Sequence, residues 1–512
     1  MIKPVNIKKT LLLLIIVSTI IRAALAYFLE LTNDEVNYWL YAMYPDISHY
    51  EHPPMVGYFI QLTTLNLLFD SEFFMRLSSI LLGAVNTYII FLIGKKIKDE
   101  LTGFYAAMLY TSSLYFFIIC GVFIHPDTPM VFFWLISLYF IIKGLFIKPG
   151  VKFNSSILIA GLTIGLGMAS KYISAYLWFA VIMYILLYDR IWLKKIEIYI
   201  SVLISILCFL PVIIWNFQNE LQTLSFWGMN IHALSSGLRF DLFAQELLGQ
   251  IFYNNPVNFF LILISLVFIK KKFFPDNNIK RFLIICGFPL LIFFILISLL
   301  GRTLPHWSGP GYVALILIAS AYQSWKKQEK QKLFPYSHQL AMVVTVLITI
   351  FGYVQINYGL FDLSSDKNVK PENLGKNDFT LDMYGWNQAA GKFEVLFSEY
   401  KSKGMIGENA PIYSDKWYNA GHLDYYIARP LGKTVFAEGT LGEIRKYHWV
   451  NEERRGSLEN IKEAYYISPS RDYTSPYKYC SKQFSIIVPM DTIRIERKGK
   501  IIENMFVFIM KK

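Results

Sequence analysis

Four cysteines in 512 residues are too few for a disulfide framework. Three of them, Cys120, Cys208 and Cys286, fall in or beside long apolar runs, leaving Cys480 alone near the C-terminus. Redox chemistry is therefore not indicated. The chain has no G-x-x-x-x-G-K-[ST] segment, and no strand-like run is followed by G-x-G-x-x-G. Nucleotide-fuelled transport and dinucleotide chemistry thus lack a sequence basis, and no nucleotide cofactor is expected. Short repeats and low-complexity tracts are also missing. Positive charge is scarce in every second loop, where only Lys171, Arg239 and Arg302 occur before the last apolar run.

What is abundant is apolar surface. The composition is 54% hydrophobic and 17% aromatic, which excludes an ordinary soluble globule. Runs near the roughly 20 residues needed to cross hydrocarbon occur at about 8–29, 74–94, 102–123, 129–147, 154–169, 173–189, 196–215, 255–270, 281–300, 310–325 and 338–356. Eleven spans are expected from these, and the run from Pro54 to Phe69 fits a re-entrant or interfacial segment. The first run has features of a secretory signal, with Lys8 and Lys9 before it and Ala24-Leu25-Ala26 near its end. Arg22 interrupts it and apolar residues continue to Leu31, so an uncleaved span is expected.

Lysine and arginine collect in the loops that carry Lys8 and Lys9, Lys95 and Lys96, Lys143 and Lys148, Arg190 and Lys194, Lys270 to Lys272, and Lys326 and Lys327. The positive-inside rule puts these in the cytoplasm together with the N-terminus. The net charge of +12 is then mostly topological, and no nucleic-acid partner is implied. The large pieces, at 30–73, 216–254 and 357–512, all fall on the other side. An enzyme working there has no free nucleotide-activated substrate at hand, so its activated substrate is expected to be lipid-linked. Beyond about residue 357 the pattern changes to short strands at 410–415, 433–437, 464–468, 485–490 and 505–510, with helices at 386–403 and 418–428. A small α/β domain follows from that alternation, with a β-α-β unit at 411–438.

Carboxylates held at a bilayer edge are costly, and they usually do chemical work. They occur here in Thr32-Asn33-Asp34-Glu35, in Glu51-His52-Pro53-Pro54 and in His125-Pro126-Asp127-Thr128-Pro129, followed by Ser170-Lys171-Tyr172 and Pro305-His306-Trp307. In this order, across about residues 10–325, the motifs resemble the GT-C superfamily of polyprenyl-phosphate-sugar-dependent glycosyltransferases. The likeness is to the bacterial branch with the aminoarabinose lipid A transferases, the Rgt-type galacturonosyl transferases and the protein O-mannosyltransferases. It implies a polytopic α-helical membrane protein of about eleven helices, GT-C-like, with a small extracytoplasmic α/β domain. Residues 1–356 are then the transmembrane catalytic domain with outer loops 30–73 and 216–254, and 357–512 the second domain.

The resemblance also implies roles. Asp34 is the expected catalytic base, since an acceptor hydroxyl needs a carboxylate within hydrogen-bond reach to take its proton. Asp127 is expected in the same active site, although a carboxylate at that helix start also fits a simple cap. Lys171, Arg302 and His52 are expected at the donor phosphate, where negative charge develops, and Arg239 is a weaker candidate. Glu35, His125 and His306 are expected to contact acceptor or sugar. Aminoarabinose transferases commonly carry lysine where His52 stands, so a divalent metal on Glu51, with His306, His232 or His422 as partners, is one way to restore the missing charge. Asn230 stands where a relative carries histidine, which departs from a direct zinc site. The expected partners are a polyprenyl-phosphate-linked sugar, an acceptor that is lipid A or lipopolysaccharide core, another glycan or a protein, and the lipids of a bacterial inner membrane. Two rivals come from other classes: a non-catalytic envelope-assembly subunit, and a lipid-linked-sugar flippase or transporter. The latter should place ionisable groups mid-span on paired, interrupted helices, whereas the polar motifs here gather in loops.

Overall fold

The computed structural model describes residues 6–146, 154–229, 237–330, 336–363, 369–455 and 461–512. The chain forms two compact units, Met1–Tyr27 with Asp46–Ile348, and Phe28–Pro45 with Thr349–Lys512. The segment 30–73, expected as one outer loop, is therefore divided, and it holds two helices, Asn33–Met43 and Met55–Thr63.

The first unit is helical. Helices stand at all eleven expected segments. Among the described residues six helices are long and apolar enough to cross a membrane: Ile7–Phe28, Glu72–Ile97, Asp127–Leu145, Ile196–Gln218, Asn277–Ile297 and Tyr336–Tyr358, the last running on into the second unit. Phe240–Tyr253 and Pro256–Val267 count as a seventh only if they form one span bent by 99°. A 14-residue helix such as Ser155–Met168 reaches about 21 Å, short of the roughly 30 Å of hydrocarbon. The segment at 102–123 is likewise interrupted: Glu100–Ser112 ends at an extended Ser113, and a π turn follows at Tyr115–Ile119. Small residues let these helices approach closely. A Cβ on Gly103 would lie 2.4 Å from the Phe91 carbonyl oxygen, and one on Gly161 2.2 Å from Ser201 Oγ. Arg22, the charge inside the first run, is buried with its guanidinium 4.8 Å from the Phe117 ring centre in the π turn.

The second unit carries a five-stranded sheet of order β2-β1-β3-β5-β4. Its strands are β1 Ile412–Ser414, β2 Val435–Ala437, β3 Glu463–Pro469, β4 Ile486–Arg497 and β5 Lys500–Lys511. β1 runs parallel to β2 and β3, whereas β3/β5 and β4/β5 are antiparallel. The last two strands are about twice as long as the sequence pattern predicts, because Lys498 and Gly499, both at positive φ, make a two-residue hairpin turn. Tyr413, Phe436, Tyr466, Phe484 and Phe508 form a core against the sheet. The helix Asn33–Met43 belongs to this unit because Val36, Trp39 and Leu40 are fully buried. A Cβ on Gly421 would lie 2.8 Å from Val36 Cγ2, and the Trp39 and Tyr425 rings meet edge to face at 5.5 Å.

Glu503 on β5 is buried 3.6 Å from Arg471 Nε, and burial pushes its carboxyl from 4.5 up to about 7. An acid with a higher pKa in the folded chain holds more protons there than in the unfolded chain. Stability therefore falls as pH rises between 4.5 and about 7. Glu503→Gln, which cannot ionise, is expected to remove a loss of up to about 3 kcal/mol across that window. Thermal unfolding at about pH 5 and about pH 8 measures it; an unchanged pH slope in the variant would count against the assignment.

Candidate active site

In the first unit the site is built around Asp127, the first residue of the helix Asp127–Leu145. Pro126 takes the cap position and no side chain caps the helix, so the simple capping role fails for Asp127. Asp127 is 1% exposed. One oxygen accepts from Tyr115 Oη at 2.7 Å, and the other pairs with Lys171 Nζ at 2.6 Å. Tyr115 comes from the π turn, a distortion that recurs at functional sites, and Lys171 from the extended residue ahead of the short turn Tyr172–Ala175. With both oxygens engaged, Asp127 is arranged to hold Lys171 rather than to take up a proton.

His306 lies in the turn Pro305–Ser308 near this pair. Burial and the adjacent Lys171 hold its imidazole neutral, with the pKa down to about 3 despite the pull of Asp127. His125 is close enough to bear on the same imidazole. Lys171 and Arg302 line one cavity of about 670 Å³, whose other walls include Phe209, Val212, Phe217, Leu224, Phe293, Ile297 and Trp307. Arg302 is exposed and makes no ion pair among the described residues. Trp227 lines the same cavity, its ring centre 5.5 Å from that of Trp307, and the His52 ring centre lies 5.9 Å from that of Trp227. Tyr50 packs on Phe226 at 5.1 Å and Glu51 beside it is buried. An apolar chamber with two cations on its wall can take a long apolar chain that ends in an anion. Arg239 is not among its lining residues; it forks onto Asp241 at 2.6 and 2.9 Å.

Two residues of this arrangement escaped the sequence reading. Glu246 and Gln250, one turn apart on the helix Phe240–Tyr253, are buried and bonded to each other at 2.6 Å. Glu246 accepts from the Thr303 hydroxyl at 2.8 Å, while Gln250 donates to the Pro305 carbonyl at 3.1 Å and accepts from Ser308 at 3.0 Å. Together they fix the loop that presents Arg302, His306 and Trp307. The signal was a polar pair at i and i+4 on an otherwise apolar helix face.

Asp34 lies in the second unit, partly exposed in the first turn of Asn33–Met43. Glu35, expected to contact acceptor or sugar, is instead fully buried. Its carboxylate accepts from the Thr32 N–H at 2.9 Å while Thr32 Oγ1 accepts from the Glu35 N–H, a reciprocal cap of the helix start. His422, named above as a metal partner, is buried in the same unit, its ring 4.2 Å from and parallel to that of Trp386. Among the described residues no three His, Cys, Asp or Glu side chains are grouped to hold a metal ion, around Glu51 or elsewhere. Asn230 and His232 lie outside the described residues.

Residues 51–215 match the family of dolichyl-phosphate-mannose-protein mannosyltransferases, a stretch that includes His52, Asp127 and Lys171. A comparison with curated protein sequences finds no match. The fold is similar to that of ArnT from Cupriavidus metallidurans. The crystal structure of ArnT bound to undecaprenyl phosphate has a TM-score of 0.61 at 12% identity and covers 97% of each chain. The apo form has the same TM-score at 13% identity and covers 98% of each. The Pmt1–Pmt2 protein O-mannosyltransferase complex of S. cerevisiae, bound to its sugar donor, aligns with 44% of this chain and 35% of that one, with a TM-score of 0.33 at 18% identity.

Proposed function

We propose that this chain is a membrane glycosyltransferase of the GT-C superfamily that transfers one sugar from a polyprenyl-phosphate carrier to an acceptor outside the cytoplasm, a reading supported by the family match at residues 51–215 and the ArnT-like fold. Lipid A or lipopolysaccharide core is the first acceptor in this reading. The observation that carries it is the apolar cavity with Lys171 and Arg302 on its wall, which suits a polyprenyl chain and its phosphate.

The step is a single displacement. The acceptor hydroxyl gives its proton to Asp34 as its oxygen bonds to the anomeric carbon. The bond from that carbon to the phosphate oxygen breaks, and the electron pair leaves on the polyprenyl phosphate. Lys171 and Arg302 stabilise the charge that develops there, while Asp127 and Tyr115 hold the lysine in place. His52 adds a donor at the phosphate, and His306, kept neutral, can hydrogen-bond the sugar without repelling Lys171. The family match at residues 51–215 favours a second acceptor, a serine or threonine hydroxyl of a protein. The proposed setting is a bacterial plasma membrane, with the N-terminus inside and the C-terminal unit outside.

Binding of undecaprenyl phosphate to the purified full chain in lipid nanodiscs tests the donor class. Arg302→Ala is expected to weaken it at least about tenfold, the worth of one charge-assisted contact. Equal affinity of the parent for undecaprenol, which lacks the phosphate, would contradict the reading.

A further inference from the structure

We propose that Asn33, Asp382, Arg471 and His422 form a clamp that positions the Asp34 carboxylate, so that residues of the C-terminal unit take part in placing the base. The inference rests on the reading of Asp34 as the base. All four residues lie in the unit that contains Asp34.

The Asn33 side chain is held from three directions. Its Nδ2 donates to Asp382 Oδ1 at 2.8 Å. Its Oδ1 accepts from an Arg471 amino group at 3.3 Å and faces His422 Nε2 at 3.1 Å, which calls for a proton on that nitrogen. Arg471 closes the triangle by donating to Asp382 Oδ1 at 3.0 Å. The guanidinium is buried, as is His422, which stacks on Trp386.

The chain leading into the helix is tied as well. Glu30 accepts from the Trp386 and Asn387 N–H groups at 2.9 and 3.0 Å, and the Leu31 N–H donates to the Tyr426 hydroxyl at 2.7 Å. Four consecutive residues, Glu30 to Asn33, are thus fixed immediately before Asp34.

Helix stability does not require this. Thr32 and Glu35 already complete the cap, and such a cap serves a helix start without further polar partners. Sequestering an arginine and a histidine has its own desolvation cost. What the extra contacts fix is the direction in which the next side chain leaves the backbone. Asp382 also lies close enough to Asp34 for the two carboxylates to repel. A general base must be held to a fraction of an ångström, and a displacement of about 1 Å costs on the order of a hundredfold in rate.

The test compares Asn33→Ala, Arg471→Lys and Arg471→Gln with the parent and with Asp34→Asn. Two quantities are read: sugar-modified product per copy of enzyme in cells, and affinity of the purified full chain for undecaprenyl phosphate. Asn33→Ala and Arg471→Gln are expected to lower product by about ten- to a hundredfold while undecaprenyl phosphate affinity stays within about twofold. Arg471→Lys keeps the charge but loses the fork and falls between. Should Arg471→Gln not fold, Asn33→Ala and Arg471→Lys carry the test. Parental product from Asn33→Ala at normal abundance overturns the clamp, as does a loss of product that only follows lost abundance or lost lipid affinity. If Asp34→Asn itself keeps full product, the base assignment fails and the clamp with it; an inactive Asp34→Asn beside an unaffected Asn33→Ala sinks the clamp alone.

Discussion

Asp34→Asn is expected to lower sugar transfer by about 10²- to 10⁴-fold, the usual contribution of a positioned general base. The change is nearly isosteric, and Asp34 is partly exposed in a first turn whose cap is supplied by Thr32 and Glu35. Folding and abundance should therefore stay close to the parent, with a loss of only a few tenths of a kcal/mol from the favourable position of a carboxylate at a helix N-terminus. Product per copy of enzyme, measured in cells that carry the variant in place of the normal gene, reads the effect. Asp34→Glu separates proton transfer from placement, since it keeps the base but moves it by one methylene. It should retain more product than Asp34→Asn and less than the parent. An Asp34→Asn protein that matches the parent would remove the base from the account.

Lys171→Met is the second large effect, and it combines two losses. The first is catalytic: one cation fewer at the leaving phosphate, at about 10²- to 10³-fold in rate by analogy with removal of a single transition-state donor. The second is structural. Lys171 and Asp127 are a buried pair 2.6 Å apart with side chains 9% and 2% exposed, so removing the lysine strands a carboxylate. Breaking such a pair from one side costs about 3–5 kcal/mol, whereas removing both charges together is often nearly neutral. The double variant Lys171→Met with Asp127→Asn should accordingly regain most of the thermal stability lost in Lys171→Met and none of the activity. If the double variant recovers transfer, Lys171 is structural and the phosphate must be held elsewhere. If Lys171→Met keeps parental stability, the two side chains are not a buried pair in the working protein.

The division between what could and could not be read ahead follows range along the chain. Apolar runs are local, so all eleven segments fall on helices. Their lengths are set by neighbours instead, and Ser113 ends one helix early so that a π turn can aim Tyr115 at Asp127. Asp127 and Lys171 were each legible from their motifs, but their pairing across 44 positions was not. Glu35 shows how a local signal can be overlooked. Its place beside Asp34 drew it into the chemistry, yet Thr32 three residues earlier already marked a capping box, in which one of its carboxylate oxygens accepts from the Thr32 N–H. The largest surprise is where Asp34 belongs. A polar motif between apolar runs reads as loop, but Val36, Trp39 and Leu40 form a buried face, and what they pack on, around Gly421 and Tyr425, is nearly 400 residues away. The pair Glu246 and Gln250 was missed because two polar residues on an apolar helix carry meaning only once the loop they hold is known.

The central claim is that this chain moves a sugar from a lipid carrier to an envelope acceptor. Mass spectra of lipid A, core oligosaccharide and envelope glycoproteins, from cells lacking the gene and from cells with it restored, test it most directly. The account predicts that one sugar-sized mass increment disappears from one of the three fractions and returns with the normal gene, and the fraction that changes names the acceptor. If no fraction changes by a sugar mass while the restored protein is present in the membrane, the transferase reading is contradicted.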